Sequence, residues 1–133
     1  MRGQVSLEYL LVTGFAFIFI IPIIALYYSQ SSQLNEDITS AQADRIASEI
    51  VEAANEVYYL GEPSKKTLTA YMPENVKSIT FQESSISIRV DSSSGEFDVV
   101  KVAAMNLTGS IDIFSGIHKI EVTARSNYVE ITG

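Results

Sequence analysis

Residues 9–28 read YLLVTGFAFIFIIPIIALYY, 20 consecutive residues without a charge. At about 1.5 Å per residue, a helix of that length spans about 30 Å, the thickness of a bilayer's hydrocarbon core. The run exceeds the apolar core of a secretory signal, about 7–15 residues, and no small-residue cleavage pattern lies beyond it. Ser29, Gln30, Ser31, Ser32 and Gln33 come next instead. The run is therefore expected to persist as a transmembrane helix. Arg2 precedes it, whereas Glu36, Asp37 and Asp44 come after it before Arg45 appears. Basic residues stay cytoplasmic, so the chain beyond residue 28 is expected outside the membrane. Two residues fit a plain anchor badly. Glu8 borders the run, and a carboxylate costs about 2.5–3.5 kcal/mol at the membrane centre, less at the edge. Pro22 lies inside it, removes one helical hydrogen bond and crowds the carbonyl of residue 18, so a bend is expected there.

The rest of the composition narrows the class. The chain has 133 residues, 47% of them hydrophobic, with 9 basic and 16 acidic residues and a net charge of −7. The length suits one small domain plus an anchor. With no Cys, disulfides, thiolate zinc sites and cysteine nucleophiles are all excluded. The single histidine, His118, excludes a site needing two imidazoles from one chain. The acidic balance speaks against a nucleic-acid partner. The serines at 84–85 and 92–94 have no neighbouring base, and the acidic pairs lie in no calcium-loop pattern. No catalytic residue, metal ligand or cofactor is expected.

The start reads Met1-Arg2-Gly3-Gln4-Val5-Ser6-Leu7-Glu8-Tyr9-Leu10-Leu11. A basic residue, Gly-Gln, Ser, Glu and then an apolar helix resembles the class III signal peptide of archaeal type IV pilins. The family pattern Q-x-S-x-E-x-x-x-L maps onto Gln4, Ser6 and Glu8, with Val12 at the final position. The resemblance covers about a tenth of the chain. It implies that a membrane peptidase cuts the Gly3–Gln4 bond on the cytoplasmic side, removing residues 1–3. It further implies that Glu8 pairs with the new amine of Gln4 in a neighbouring subunit. A buried charge is tolerable only when paired, so Glu8 would be neutralised in a filament and unsatisfied outside one. Cyclisation of Gln4 would instead leave Glu8 to another donor.

Beyond the run, Leu34, Ile38, Ala41, Ile46, Ile50, Ala53, Val57 and Leu60 recur mostly at spacings of three and four. Glu36, Asp37, Asp44, Glu49, Glu52 and Glu56 lie between them and read as a solvated face. Gly61 and Pro63 end the pattern. One long helix from about Gln4 to Leu60 is expected, with Ser32 or Asn35 as caps if it breaks in the polar stretch. Residues 4–28 would bundle with other copies, and residues 29–60 would extend the helix along a C-terminal β domain at 61–133.

From Lys65 onward the period becomes two. Ser85–Asp91, Lys119–Thr123 and Tyr128–Thr132 alternate strictly, and Thr67–Tyr71, Val76–Phe81, Phe97–Ala103 and Ser110–Phe114 are further strand candidates. Seven short strands suggest a small antiparallel sheet or sandwich, for an α+β fold overall. From Gly61 on there are nine acidic and seven basic residues, so most of the net charge belongs to the helix. About 70 residues make a marginal core, which burial of the helical stripe would complete. Asn106-Leu107-Thr108 is the single N-x-S/T sequon. It is expected to lie outside the membrane, between two strands, and is a glycosylation candidate in view of the pilin resemblance. His118 is expected on the surface or packed, not bound to a metal.

The expected protein is thus a structural subunit and not an enzyme. It would be a membrane precursor that becomes a helical homopolymer outside the cell. The resemblance implies a prepilin peptidase, an assembly ATPase and a membrane platform protein as partners. The rival readings are a minor pilin or pseudopilin, and a membrane-anchored extracellular binding domain.

Overall fold

The computed structural model describes residues 2–133, and Met1 of the expected leader lies outside them. The architecture is α+β, as the change of period from 3.6 to two implies. A single helix, α1 (Arg2–Leu60), precedes seven strands. They are β1 (Lys65–Met72), β2 (Val76–Gln82), β3 (Ser85–Ser92), β4 (Gly95–Val102), β5 (Asn106–Ser110), β6 (Gly116–Ala124) and β7 (Tyr128–Thr132). The chain forms two compact units, one ending at Asn35 and one spanning Glu36–Gly133.

In the first unit, helix begins at Arg2, two residues before the expected start, and runs unbroken across Pro22 and the polar stretch 29–33. That stretch contains neither Gly nor Pro, and serine and glutamine do not stop a helix once its ladder is established. The conditional caps at Ser32 and Asn35 are therefore not used to start a second helix.

In the second unit, α1 ends at Gly61. Its amide donates to the carbonyls of Val57 and Tyr58 at 3.1 Å, and its φ of 81° is a left-handed conformation natural to glycine. Ala43, Ile46, Ala47, Ile50, Val51, Ala53, Ala54 and Val57 of α1 are buried. The stripe is shorter than the periodicity suggests, because Leu34, Ile38 and Leu60 are 54–71% exposed. The small alanines let backbone approach closely, and each buried Ile or Val stabilises the unit by about 1.5–3 kcal/mol relative to exposure.

The strands form two sheets, ordered β1-β6-β7-β5 and β2-β3-β4. The expected antiparallel arrangement holds for four pairs, but β5 and β7 run parallel. The inner faces of both sheets and the helical stripe share one core, which includes Met72, Ile86, Ile88, Val90, Ile120, Val122, Val129 and Ile131. The sheets meet where the Leu107 amide donates to the Glu83 carbonyl at 2.6 Å.

The fifth strand is displaced from its expected place. It covers Asn106–Ser110, not Ser110–Phe114. Gly109 permits the close pairing of this strand with β7. Its φ is 136°, and a Cβ there would lie 1.8 Å from the Ile131 carbonyl oxygen. Only glycine permits the β5 backbone to press this closely on β7. The sequon accordingly lies within a strand, not between two.

The acidic face of α1 is largely exposed, as expected, and several of its residues also reach the sheets. Asp44 accepts from Lys101 Nζ of β4 at 2.9 Å, and Glu56 pairs with Lys66 of β1. The Glu36 carboxylate accepts from the hydroxyls of Ser93 and Ser94 at the β3–β4 turn. Asn55 Oδ1 accepts from the Ala104 amide at 3.1 Å. Thus β1 and β4, the outer strands of the two sheets, each send a lysine to the helix, a charge that also discourages edge-to-edge pairing.

Candidate functional site

The sequence directs attention first to residues 3–28. The Gly3–Gln4 bond lies in the opening turn of α1. A Cβ at Gly3 would meet nothing within 4 Å, so the bond is uncrowded. First-turn amides have no intrahelical acceptors, so the turn opens at low cost. Glu8 sits one helical turn beyond Gln4, exposed on the helix surface.

Throughout the uncharged run the large apolar side chains are exposed. Phe15, Ile18, Phe19, Ile21 and Ile23 are 62–66% exposed, and Ile20 and Ile24 are 48–49% exposed. Pro22 is exposed as well. The helix is long and apolar enough to cross a membrane and is compatible with insertion into one. Tyr9 marks one end of the run and Tyr27 and Tyr28 the other. Nineteen residue steps place them about 29 Å apart, and amphipathic rings favour the two membrane–water boundaries. The polar side chains near the run satisfy themselves locally. Thr13 Oγ1 donates to the Tyr9 carbonyl at 2.8 Å, and Ser32 Oγ donates to the Tyr28 carbonyl at 3.3 Å. This back-bonding gives each hydroxyl an acceptor within the helix itself.

The remaining sequence candidates lie in the second unit. Asn106 and Thr108 are exposed on β5, and Leu107 between them is buried. His118 is 3% exposed on β6. Its Nε2–H donates to the Phe114 carbonyl at 2.7 Å, and its ring centroid lies 4.1 Å from that of Phe114. It is the packed histidine that sequence reasoning allowed. Among the described residues no group of three His, Cys, Asp or Glu is placed to hold a metal ion. The structure brings Gln4 and Glu8 onto neighbouring turns but brings neither to Asn106 or His118.

Several polar features carried no sequence signal. Arg89 of β3 forms a two-point ion pair with Asp98 of β4, at 2.8 and 3.0 Å. The Arg89 hydrogen bonds hold the Asp98 carboxyl below its usual range. Together with Ser78, Thr80, Gln82, Ser85, Ser87 and Val100 the pair lines a shallow polar cavity of about 350 Å³ on the β2-β3-β4 sheet. The Ser93 hydroxyl, with Ser92 and Ser94, likewise holds the Glu36 carboxyl below its usual range. These contacts join residues 50 or more positions apart for Glu36, a distance at which local sequence patterns carry no information.

Scans against protein-family models, curated proteins and solved structures returned no match.

Proposed function

We propose that this chain is a type IV pilin-like structural subunit that polymerises into an extracellular filament through its apolar helix. The observation that carries the reading is the 20-residue uncharged run, exposed around its circumference and preceded by Gly3-Gln4 and Glu8. A helix apolar all round belongs in lipid or in a protein bundle. In this reading it occupies the membrane first and the filament core afterwards. Moving from lipid to bundle brings little hydrophobic gain, so side-chain packing and the Glu8–Gln4 pairing set the subunit register. Removal of residues 1–3 deletes Arg2 and creates the amine that Glu8 requires. The order of a long apolar helix and then a small β domain is that of pilin subunits and supports the same reading. The β domain then coats the filament, where it serves attachment to surfaces, and Asn106 is its glycosylation candidate. A prepilin peptidase, an assembly ATPase and a membrane platform protein complete the process. A filament scaffold of this kind needs no catalytic group.

The deciding experiment is intact-mass and N-terminal peptide analysis of filaments sheared from cells. A main component beginning at Gln4, or its cyclised form, is expected. A chain retaining Met1 or Arg2 and confined to membranes overturns the proposal in favour of an anchored binding domain. A chain beginning at Gln4 but scarce in filaments identifies a minor pilin.

A further inference from the structure

The sequon does not stand alone on its strand. Asn106 and Thr108 project to the same outer face of β5, with Leu107 turned into the core at 5% exposure. In the parallel pairing of β5 with β7, Asn106 stands opposite Tyr128 and Thr108 opposite Glu130. Tyr128 is 40% exposed while its neighbour Val129 is fully buried, so the phenol lies on the same outer face as Asn106. Adjacent strands run about 4.8 Å apart, which sets the ring beside the amide.

The backbone at Tyr128 is also held in place. Its carbonyl accepts from the Arg125 amide at 2.9 Å, closing the turn that opens β7. The Arg125 guanidinium grips Glu130 at 2.7 and 3.0 Å. The surroundings of Asn106 are therefore an aromatic surface with a fixed polar rim. The exposed Tyr59 and Tyr71, by contrast, lie in no sequon.

We propose that Tyr128 is the seat for the first sugar of an N-linked glycan on Asn106. The inference rests on the placement of the β domain outside the membrane. Attachment joins Asn106 Nδ2 to the anomeric carbon of a phosphate-activated, lipid-linked sugar donor. The bond from that carbon to the phosphate oxygen breaks, the lipid phosphate leaves, and one amide proton goes to a base of the transferring enzyme. A pyranose then offers one face of C–H groups and an edge of hydroxyls. The C–H face covers the Tyr128 ring, whose π face attracts the slightly positive hydrogens, and both lose apolar surface to water. The hydroxyl edge meets the rim at Glu130 and Thr108. The glycan acts here as a clamp across the β5–β7 pair, the one parallel pair among the described residues.

The test uses the full-length chain from its own cells, with peptide mass mapping and thermal unfolding of the wild type, Thr108→Ala, Tyr128→Thr, Tyr128→Phe and the combinations with Thr108→Ala. Sugar mass on the Asn106 peptide is expected in every form that keeps Thr108. Loss of the glycan is expected to lower the melting temperature by about 4 °C in the wild-type and Tyr128→Phe backgrounds, as a clamp of about 1 kcal/mol would in a domain of this size. In the Tyr128→Thr background the same loss is expected to shift it by less than about 1 °C. An equal shift in all three backgrounds overturns the role of Tyr128. An unmodified Asn106 in a chain processed to Gln4 overturns the seat and leaves the pilin reading standing. A modified Asn106 in a chain that retains Met1 does the reverse.

Discussion

The two parts of one helix differ both in how many apolar residues they hold and in how those residues are arranged. In residues 9–28 they surround the helix, and every large one is at least 48% exposed. In residues 43–57 they form one stripe, from Ala43 to Val57, that is at most 9% exposed. The stripe is covered by the two sheets of its own chain. The large apolar side chains of the run are exposed. Arrangement and apolar density together separate a helix that completes its own domain from one that is apolar all round.

The contrast can be broken at its strongest point first. Gly109→Ala places a Cβ against the Ile131 carbonyl and is expected to unfold the β domain or cost well above the usual ~0.5–3 kcal/mol of a point change. Chemical denaturation of the wild type and variant measures this, and an unchanged midpoint would refute the close approach of β5 to β7. If the proposed filament forms, Glu8→Ala is expected to leave cleavage at Gly3–Gln4 intact but cut filament yield tenfold or more, because removing one partner of a buried ion pair costs on the order of 3–5 kcal/mol. Normal filament yield from that variant would remove the pairing role of Glu8.

A matched pair of substitutions sharpens the comparison. Ile50→Ala, at 1% exposure, is expected to lower β-domain stability by about 2–5 kcal/mol. Ile18→Ala, at 65% exposure, is expected to change it by less than about 0.5 kcal/mol. Equal effects would mean that the run contributes to the folded monomer.

The smallest expected effect concerns pH. Hydrogen bonds from Ser93 and its neighbours lower the Glu36 pKa in the folded chain. Their contribution is therefore present above the ordinary carboxylate range and disappears as the pH falls through the lowered value. Glu36→Gln is expected to flatten the acid limb of a stability–pH profile slightly and leave the neutral region nearly unchanged. A steeper acid limb in the variant would contradict the direction of the shift.

Much of the fold is legible in the sequence, for physical reasons. The uncharged run and the helix end at Gly61 are local signals, and strict alternation locates β3, β6 and β7 to within a few residues. The remainder depends on contacts between distant parts of the chain. Asn106–Ser110 holds one large apolar residue and a glycine and so resembles a loop, whereas Ile111, Ile113 and Phe114 resemble a strand. The distinction lies in the pairing with β7, where Gly109 alone allows the approach to Ile131. The tethers from Asp44, Glu56 and Glu36 to the sheets are equally hidden in the sequence, because a solvated charge on a helical face gives no local sign of its distant partner. Of the candidate site, Gly3, Gln4 and Glu8 come wholly from a sequence motif, while the pairing of Asn106 with Tyr128 comes wholly from strand register.

The order of the strands also sets a timetable. The meander β2-β3-β4 consists of neighbours in sequence and closes as soon as residue 102 is available. By contrast β1 must wait for β6, with Lys65 opposite Thr123, and β5 must wait for β7. Pairings across such separations form slowly, because loop closure precedes any stabilising contact. Until residues 116–132 arrive, β1 and β5 lack their strand partners, and Ile120, Val122, Val129 and Ile131 are missing from the core that covers the helical stripe. A chain assembled in this order leaves the helical stripe partly uncovered until its last two strands are in place.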